Sequence, residues 1–382
     1  MKQYFYIFLS CLGLWSCGGG GGGGSTAPVD TVQPNPNQTP GSYNGVPYTE
    51  LSPPPGLANY PTAYFPNYTG LNAATFQIAY GYNTQIQIAN LTTQVLMVKD
   101  GTRICSATPV AYVESSNTTF FVGAAHCFLT KKTNPTTVNI ADMYLTSQVN
   151  VSFGVTPGSS SGTPVQAIFV MKTYCYNATF SVPGGCPNYN DTQEVAGGQG
   201  NDLAVLQVPG KYANPESYPY PQVVPASEYP QQLSMAPILS IGYGGATNQP
   251  ATDTGTPKGT MFYVANYFYQ YYNPTGYYYL QSSYYNPSSG SNGVTPGYGA
   301  LICGGDSGGG DLFWTGSKWI LLAEHTYGPF DSCGTFYTSL PNAATNVSSY
   351  YTWIESIIND TSINGVVSDC NNGVISNCVT NG

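Results

Sequence analysis

A serine near the end of the chain lies in a sequence that could present it as a nucleophile. Ser307 follows Asp306 in the segment 303–309, which reads Cys-Gly-Gly-Asp-Ser-Gly-Gly. Glycines permit crowded backbone conformations and let a substrate carbonyl approach backbone N–H groups closely. A serine hydroxyl is a poor nucleophile near neutral pH, so it needs an adjacent base that accepts its proton. The segment therefore predicts nucleophilic catalysis by Ser307, and an ordinary glycine-rich turn is the alternative interpretation.

The chain has few residues that could act as this base. It contains only two histidines, and His126 ends the small-residue segment Gly-Ala-Ala-His, which follows the apolar segment 120–122. Asp202 is the best candidate for orienting the histidine, because it directly precedes Leu-Ala-Val-Leu, an apolar run typical of a buried strand. The rival aspartates precede no comparable run; they are Asp142, Asp191 and Asp253. The candidate catalytic residues are thus His126, Asp202 and Ser307, in this chain order.

Together these segments resemble the motifs of the chymotrypsin-like serine peptidases. The similarity rests on Gly-Ala-Ala-His-Cys ending at Cys127, Asn-Asp-Leu-Ala-Val-Leu beginning at Asn201, and Gly-Gly-Asp-Ser-Gly-Gly around Ser307. Weaker similarities lie in the segments 241–244, 336–338 and 351–354, so that the resemblance covers roughly residues 93–359. It implies an all-β fold of two packed six-stranded antiparallel β-barrels with a C-terminal helix.

The resemblance also implies what each residue does. His126 and Asp202 would come from the first barrel and Ser307 from the second. His126 would accept the Ser307 proton and return it to the leaving amine, while Asp202 orients the imidazole. The backbone N–H groups of Gly305 and Ser307 would form the oxyanion hole, where losing one donor typically raises the barrier by about 2.7–4 kcal/mol. The expected substrate is a protein or peptide, and no cofactor or metal ion is expected.

The same resemblance points to a substrate pocket. Leu301, six residues before the nucleophile, would lie at its base, and a wall would be formed by His325, Thr326, Tyr327 and Gly328. Leu301 favours an apolar or aromatic side chain before the cleaved bond. A histidine at the position of His325 is found in glutamate-specific members, where it pairs with the substrate carboxylate. The alternative is that His325 is hydrogen-bonded inside the second barrel and does not contact substrate.

Short strand-like segments would have to position these residues. They recur between Gly, Pro and Asn turns, at residues 93–98, 110–113, 120–122, 165–171, 203–208, 238–241 and 319–323. This pattern is typical of an all-β barrel or sandwich rather than of alternating strands and helices. The interval between His126 and Asp202 is long, and we expect a surface excursion around residues 158–200.

The cysteines fit an exported protein that contains disulfides. Ten cysteines are present, and eight remain when the two in the first 17 residues are set aside. An even number is expected of such a protein. The resemblance pairs Cys105 with Cys127 and Cys303 with Cys333, and the natural short-range pairs are then Cys175–Cys186 and Cys370–Cys378. Since no Cys-x-x-Cys motif occurs, we expect no metal site.

The N-terminus resembles a bacterial lipoprotein signal. Residues 4–15 form a mostly apolar stretch after Lys2, which is shorter than the roughly 20 residues of an ordinary transmembrane helix. The stretch leads into Leu-Trp-Ser-Cys, so we interpret residues 1–16 as the signal and Cys17 as the lipidated residue. This predicts an exported protein anchored by lipid to a membrane of the cell envelope. A plain secretory signal is the alternative.

The remaining chain divides by composition. Residues 17–75 begin with a glycine run, continue rich in Pro, Asn and Thr, and are predicted to be a flexible tether. About 45 such residues would span roughly 35–40 Å. Residues 76–360 are predicted to be the peptidase domain, and residues 361–382 a tail with a short disulfide loop.

Charge and aromatic content narrow the function further. Only 7% of residues are charged, the net charge is −9, and Arg103 is the single arginine, so no basic patch for nucleic acid is expected. Tyrosines are abundant, 34 in all, and dense between residues 263 and 285. We interpret this stretch as a β-hairpin, with an aromatic contact surface as the alternative. Two rival functions remain: a catalytically silent surface adhesin on the same fold, and an esterase using the same three residues.

Overall fold

The computed structural model describes fifteen stretches of the chain. They are residues 42–52, 93–97, 103–128, 143–152, 162–170, 175–176, 199–200, 202–212, 220–230, 236–243, 262–268, 277–280, 305–327, 342–359 and 366–368. All of them belong to one compact unit, Pro36–Gly382. No helix within these stretches is long and apolar enough to cross a membrane.

Antiparallel β-strands make up most of the described chain. The strands are β1 Ser42–Tyr43, β2 Val46–Pro47, β3 Thr93–Met97, β4 Arg103–Val113, β5 Thr118–Gly123, β6 Val149–Ser152, β7 Thr163–Pro164, β8 Ala167–Val170, β9 Cys175–Tyr176, β10 Gln199–Gly200, β11 Ala204–Pro209, β12 Ala236–Gly242, β13 Phe262–Phe268, β14 Tyr277–Leu280, β15 Gly310–Trp314, β16 Trp319–Tyr327, β17 Asn342–Asn346 and β18 Val366–Ser368. The α-helix α1 spans Tyr351–Ile358 near the C-terminus. Short 3-10 turns include Tyr48–Glu50, Glu114–Ser116, Ala125–Phe128, Thr146–Gln148, Ala226–Glu228 and Val347–Tyr350.

Two large sheets carry the fold. The first has eight strands in the order β18-β8-β11-β5-β4-β3-β6-β7, and the second has six in the order β13-β12-β15-β16-β17-β14. The predicted all-β class and C-terminal helix are confirmed. The described residues do not show the two predicted six-stranded barrels: among them the first sheet has eight strands and neither sheet closes on itself. One extra strand is β18, which comes from the predicted tail and pairs with β8.

The sequence of β5 shows how the first sheet is covered on both faces. All six of its residues are buried. Phe120 and Val122 belong to a core shared with the second sheet, whereas Phe121 belongs to a core on the opposite face of the first sheet. Successive side chains of a strand point to opposite faces. The unbroken apolar run before His126 therefore reflects a strand with a core on each side.

The core shared by the two sheets sets their relative position. It combines Val110 and Val205 of the first sheet with Leu312 and Leu321 of the second, and Trp353 of α1 packs against the same cluster. Burying apolar side chains stabilises the folded chain by about 1.5–3 kcal/mol each. This shared core fixes β4, β5 and β11 against β15 and β16, the strands around the predicted catalytic residues.

The segment 42–52 is a folded part of the domain, although the composition of residues 17–75 predicts a flexible tether there. Asn44 and Gly45, both with positive φ (49° and 81°), form the turn between β1 and β2. Asn-Gly is the dipeptide preferred in such two-residue hairpin turns. Tyr43 and Tyr48 then pack on Phe313, with ring centroids 5.4 and 5.6 Å away. The predicted tether therefore includes a hairpin that packs on the second sheet.

We expect Tyr48→Ala to destabilise the protein by about 3 kcal/mol, the range seen when a large buried side chain is truncated. Tyr48 is 2% exposed and packs with Phe313 and Leu322 in one apolar cluster. Val46→Ala is the matched control in the same hairpin, since Val46 is 41% exposed and its loss should change stability by less than about 0.5 kcal/mol. Urea unfolding measures both variants. Equal, small effects would show that the hairpin does not pack on the domain in solution.

Candidate active site

His126 and Asp202 form a tight pair at one end of the first sheet. His126 lies in the 3-10 turn that follows β5, and Asp202 lies two residues before β11. Because β5 and β11 are antiparallel neighbours with Gly123 opposite Ala204, the end of one strand lies beside the start of the other. His126 Nδ1 is 2.7 Å from Asp202 Oδ2, and the His126 backbone N–H donates to Asp202 Oδ1 at 2.8 Å.

This pairing sets the tautomer of the histidine. Asp202 is fully buried, whereas the His126 side chain is 13% exposed. A carboxylate accepts hydrogen bonds, so Nδ1 of His126 carries the hydrogen and Nε2 is the ring atom able to accept a proton. The second bond, from the backbone of His126, fixes the carboxylate plane. The pair therefore orients the imidazole so that Nε2 is directed away from the aspartate.

Ser307 lies in a tight turn that precedes β15. We call residues 305–309 the nucleophile turn, after the predicted role of Ser307. The Gly309 N–H donates to Asp306 O at 2.8 Å, closing the turn around the serine, and Gly305 and Gly308 have positive φ values of 98° and 83°. A Cβ on Gly308 would lie 2.1 Å from Ser106 O and 3.0 Å from Ala124 N. The glycine at 308 is therefore required twice, by its backbone conformation and by its contact with the first sheet.

The turn is attached to the first sheet beside His126. The Ser106 N–H of β4 donates to Ser307 O at 2.8 Å. Cys127 Sγ lies 3.8 Å from His126 Nε2 and 3.9 Å from the backbone carbonyl O of Ser307, so the predicted base and the main chain of the predicted nucleophile flank the same sulfur atom. The structure thus brings His126, Asp202 and Ser307 to one place, from three distant parts of the chain.

Two features of the site concern its reactive groups. Within the described stretches, Ser307 Oγ makes no hydrogen bond to His126 Nε2, and the N–H groups of Gly305 and Ser307 have no internal acceptor. Catalytic hydrogen bonds are often long in substrate-free enzymes and shorten when substrate binds. No described residue thus accepts from either N–H group, which leaves both consistent with the predicted oxyanion hole, and rotation about the Ser307 side chain is the movement that would bring Oγ toward the predicted base.

The disulfide between Cys105 and Cys127 braces this region. It joins β4 to the turn that carries His126, with the two Cα atoms 6.2 Å apart. Cys105, His126 and Cys127 lie close enough to suggest a metal site, but both sulfurs are used in the disulfide and neither is a thiolate. The other three predicted disulfides involve side chains outside the described residues, as does the lipidation site Cys17.

His325 forms a second buried Asp–His pair, in the second sheet. The side chain is 2% exposed, Nε2 is 2.8 Å from Asp311 Oδ1, and Nδ1 is 3.2 Å from Asp306 O. Burial by itself lowers the pKa of His325, but the Asp311 carboxylate together with the charge and carbonyl of Asp306 outweighs it, so the pKa is raised. Contact with a substrate carboxylate would require one of these bonds to break.

The other predicted pocket residues are only partly described. Thr326 is buried, and its Oγ1 is 2.6 Å from Thr345 Oγ1, which in turn donates to Asp202 O at 3.3 Å. The two threonines therefore connect the second sheet to the predicted catalytic aspartate. Tyr327 ends β16, and nothing is described of its side chain. Leu301 and Gly328 lie outside the described residues.

Glu324 is a buried acid that the sequence analysis does not single out. It has no exposed surface, and its Oε1 accepts a hydrogen bond from the Gly308 N–H at 2.9 Å, directly after the nucleophile. Burial raises the pKa of Glu324 well above its usual value, and the nearby charges of Asp202 and Asp311 raise it further, against the opposing effect of the Gly308 N–H. A buried acid with a raised pKa thus lies in contact with the backbone of the turn that carries Ser307.

We expect Glu324→Gln to reduce the loss of stability that accompanies a rise in pH above about 4.3, the ordinary pKa of a glutamate. The unfolded chain releases the Glu324 proton near its ordinary pKa of about 4.3, whereas the folded chain retains it. Stability is therefore greatest at low pH for this group, and falls as pH rises through the raised folded pKa. Glutamine is neutral in both states and removes this contribution.

Urea unfolding of Glu324→Gln between about pH 5 and pH 8 tests this expectation. The control is Glu114→Gln, at an exposed position after β4, which should keep the slope of the parent protein. If the unfolding free energy of Glu324→Gln depends on pH as steeply as that of the control, the folded chain does not retain the Glu324 proton to higher pH.

The structure also shows which parts of the site the motifs do not reveal. Ser106, Glu324 and Thr345 contact the predicted catalytic residues or the nucleophile turn, yet no motif marks them. Of these three residues, only Glu324 is indicated by the sequence, because an acid inside the apolar strand Trp319–Tyr327 must have a partner. No family model and no curated protein sequence matches this chain. The roles of the site residues are therefore argued from the geometry of the site.

Proposed function

We propose that this protein is a serine endopeptidase with His126 as base, Asp202 as its orienting acid and Ser307 as nucleophile. The observation that supports it most is the double hydrogen bond of His126 to the buried Asp202, beside a glycine turn that carries Ser307. If the Asp202–His126 pair only stabilised the fold, it would not need a glycine-rich turn with a serine on the Nε2 side of the histidine. The same proposal includes the finer fold, two packed six-stranded antiparallel barrels, one built from six of the eight strands of the first sheet and the other from the second sheet.

The chemistry follows from the roles of these groups. Ser307 Oγ attacks the peptide carbonyl carbon, and its proton passes to His126 Nε2. The carbonyl oxygen becomes an oxyanion, which the N–H groups of Gly305 and Ser307 stabilise. The C–N bond then breaks, His126 gives its proton to the leaving amine, and an acyl-enzyme remains on Ser307. Water, deprotonated by His126, hydrolyses this ester and releases the second peptide fragment.

The bonds of His325 bear on the choice of substrate. Its two ring nitrogens contact Asp306 and Asp311, and a negatively charged substrate would approach two acids as well as the histidine. This favours an apolar or aromatic side chain before the cleaved bond, as Leu301 suggests, over glutamate. The proposed substrate is a protein or peptide, the proposed location is a membrane of the cell envelope, and the anchor is a lipid on Cys17.

A fluorophosphonate probe tests the nucleophile directly. It reacts with serines that an adjacent base activates, so we expect mass spectrometry of the labelled full chain to find the adduct on Ser307. Ser307→Ala should lose the label, and Ser116→Ala, which changes an exposed serine, should keep it. Equal labelling of the Ser307→Ala variant would contradict the assignment.

A randomised peptide library then identifies the reaction. Cuts after Phe, Tyr or Leu that disappear in Ser307→Ala are the expected result, and cuts after Glu would instead place His325 in the pocket. Labelling without cleavage of any peptide, but with hydrolysis of simple esters, would make the protein an esterase. The absence of both labelling and cleavage would indicate a binding protein built on a peptidase-like fold.

A further inference from the structure

We propose that the Ser106 hydroxyl is a positioning group that holds the oxyanion-hole backbone of the nucleophile turn in its working orientation. The inference rests on the proposed function, because it concerns the donors that would stabilise the oxyanion. Ser106 lies in β4 of the first sheet, immediately after Cys105, and has no exposed surface. It is therefore a buried polar residue whose every polar atom needs a partner.

The hydrogen bonds of Ser106 converge on the turn that carries the nucleophile. Its N–H donates to Ser307 O at 2.8 Å, and its Oγ donates to Gly305 O at 2.9 Å. Oγ also accepts from the Tyr243 N–H at 2.9 Å, at the end of β12. One residue of the first sheet is thus bonded to both predicted oxyanion-hole residues and to a neighbouring strand of the second sheet.

The bond from Tyr243 directs the hydroxyl hydrogen. A serine hydroxyl has one hydrogen and rotates to suit its surroundings. Since the Tyr243 N–H occupies a lone pair of Oγ, the hydroxyl hydrogen points to the other partner, Gly305 O. The main chain of the second sheet thereby orients a side chain of the first sheet, and that side chain orients the Gly305 carbonyl.

The Gly305 carbonyl matters because glycine does not restrain the peptide planes beside it. Gly305 has φ of 98°, a conformation in which rotation of the flanking peptides meets little steric resistance. The bond from Ser106 Oγ fixes the peptide between Gly305 and Asp306, and the bond to Ser307 O fixes the peptide after Ser307. These two peptides flank the one that carries the Ser307 N–H, and the first of them directly follows the one that carries the Gly305 N–H, so both donors are held through their neighbours. An oxyanion hole works only when its donors are already aimed at the developing charge.

The backbone bond alone cannot supply this function. In Ser106→Ala the N–H still donates to Ser307 O, but Gly305 O and the Tyr243 N–H both lose their buried partner. A buried group left without a partner is costly, so the Gly305 peptide is expected to turn toward a new one. The donors of the turn are then no longer aimed at the same point.

The test compares Ser106→Ala with Thr108→Val in the full chain. Thr108 lies two residues further along β4, is 1% exposed, and its Oγ1 has no partner among the described residues, so both changes remove one buried hydroxyl from the same strand face. We expect Ser106→Ala to lower kcat by about 10- to 100-fold, below the effect of deleting a whole oxyanion donor, with KM changed less than about twofold. Thr108→Val should keep both constants.

A peptidyl aldehyde, which forms a tetrahedral adduct with the nucleophile, gives the readout that separates positioning from stability. Its inhibition constant should rise in Ser106→Ala in parallel with the loss of kcat, because adduct and transition state use the same donors. Unchanged aldehyde affinity in folded Ser106→Ala would overturn the inference even if its melting temperature falls.

Two further results keep the outcomes distinct. If Ser106→Ala does not fold, Ser106→Cys replaces it, since a thiol fills similar space but is only a weak donor. Wild-type aldehyde affinity in Ser106→Cys would also overturn the inference, and a reduced affinity would support it. If the parent protein cleaves no peptide and takes no fluorophosphonate label, the proposed function fails, and this inference fails with it.

Discussion

Asp202→Asn is expected to lower kcat about 10⁴-fold with little change in KM, as in other triads where the acid becomes an amide. Asp202 uses one oxygen for the His126 N–H and the other for Nδ1. An asparagine has one oxygen and one NH₂ group, so one of these donors loses its acceptor. When the NH₂ group faces the ring, the hydrogen moves to Nε2, and His126 can no longer accept the Ser307 proton.

The matched control is the second buried Asp–His pair of the same chain. Asp311 and His325 are 2.8 Å apart and both are buried. Both ring nitrogens of His325 already have partners, Asp311 Oδ1 and Asp306 O, whereas His126 Nε2 has no oxygen partner among the described residues. Asp311→Asn should destabilise the protein by about 3–5 kcal/mol, because it leaves a buried histidine poorly paired. Its kcat in the folded state should fall less than about tenfold, since His325 supports the turn without exchanging a proton with substrate.

Steady-state kinetics on both variants, below their melting temperatures, measure the difference. If Asp311→Asn shows the larger loss of kcat, His325 is the base and the assignment of His126 is wrong. If both variants keep the parent kcat, neither pair takes part in catalysis.

Gly308→Ala is expected to prevent the nucleophile turn from docking on the first sheet. An alanine Cβ would lie 2.1 Å from Ser106 O, closer than any real contact, and the residue already has positive φ. The two atoms nearest to this Cβ are Ser106 O, in the backbone of β4, and Ala124 N, in the backbone just before the turn of His126. Neither can move away unless a strand moves with it. We expect a loss of more than about 4 kcal/mol, beyond the ordinary range for single substitutions, and no measurable activity.

Gly45→Ala separates the two causes of that loss. Gly45 has nearly the same φ, 81° against 83°, but nothing lies within 4 Å of the position of an added Cβ. Gly45→Ala should therefore lower the free energy of unfolding only by the cost of placing an alanine in a left-handed conformation, about 1–2 kcal/mol. Chemical unfolding of both variants measures the difference. Losses of similar size would mean that the turn at Gly308 does not contact β4 in solution.

Local sequence could predict those parts of the site that are determined by a few consecutive residues. The turn at Ser307 needs its glycines for the contacts that Gly308 makes, and His126 and Asp202 lie where strands end and begin. The Asn-Gly turn of segment 42–52 is equally local, and its hairpin signal was outweighed by the Pro-rich composition around it. In that case composition over a long window concealed a short, specific pattern.

Sequence could not predict contacts that depend on how the two sheets pack. Ser106 and Gly305 are 199 positions apart, and Ser106 and Tyr243 are 137 apart. Their hydrogen bonds exist because apolar side chains from both sheets fill one core and so fix one register between them. The pairing of β18 is also non-local, since its three residues pair with β8 far earlier in the chain and form the eighth strand of the first sheet.

Under the proposed function, the Cys105–Cys127 disulfide would make activity depend on whether the surrounding compartment oxidises thiols. Its cysteines are the immediate neighbours of Ser106 and His126, so one covalent bond links the residue that orients the nucleophile turn with the residue proposed as base. Closing a loop over a separation of 22 residues stabilises the fold by about 3 kcal/mol, and a reducing cytosol withholds that contribution. Under the proposed function, a newly made chain would carry every residue of the site before export but would acquire this bond only where thiols are oxidised, so that proteolysis would not begin in the cytosol.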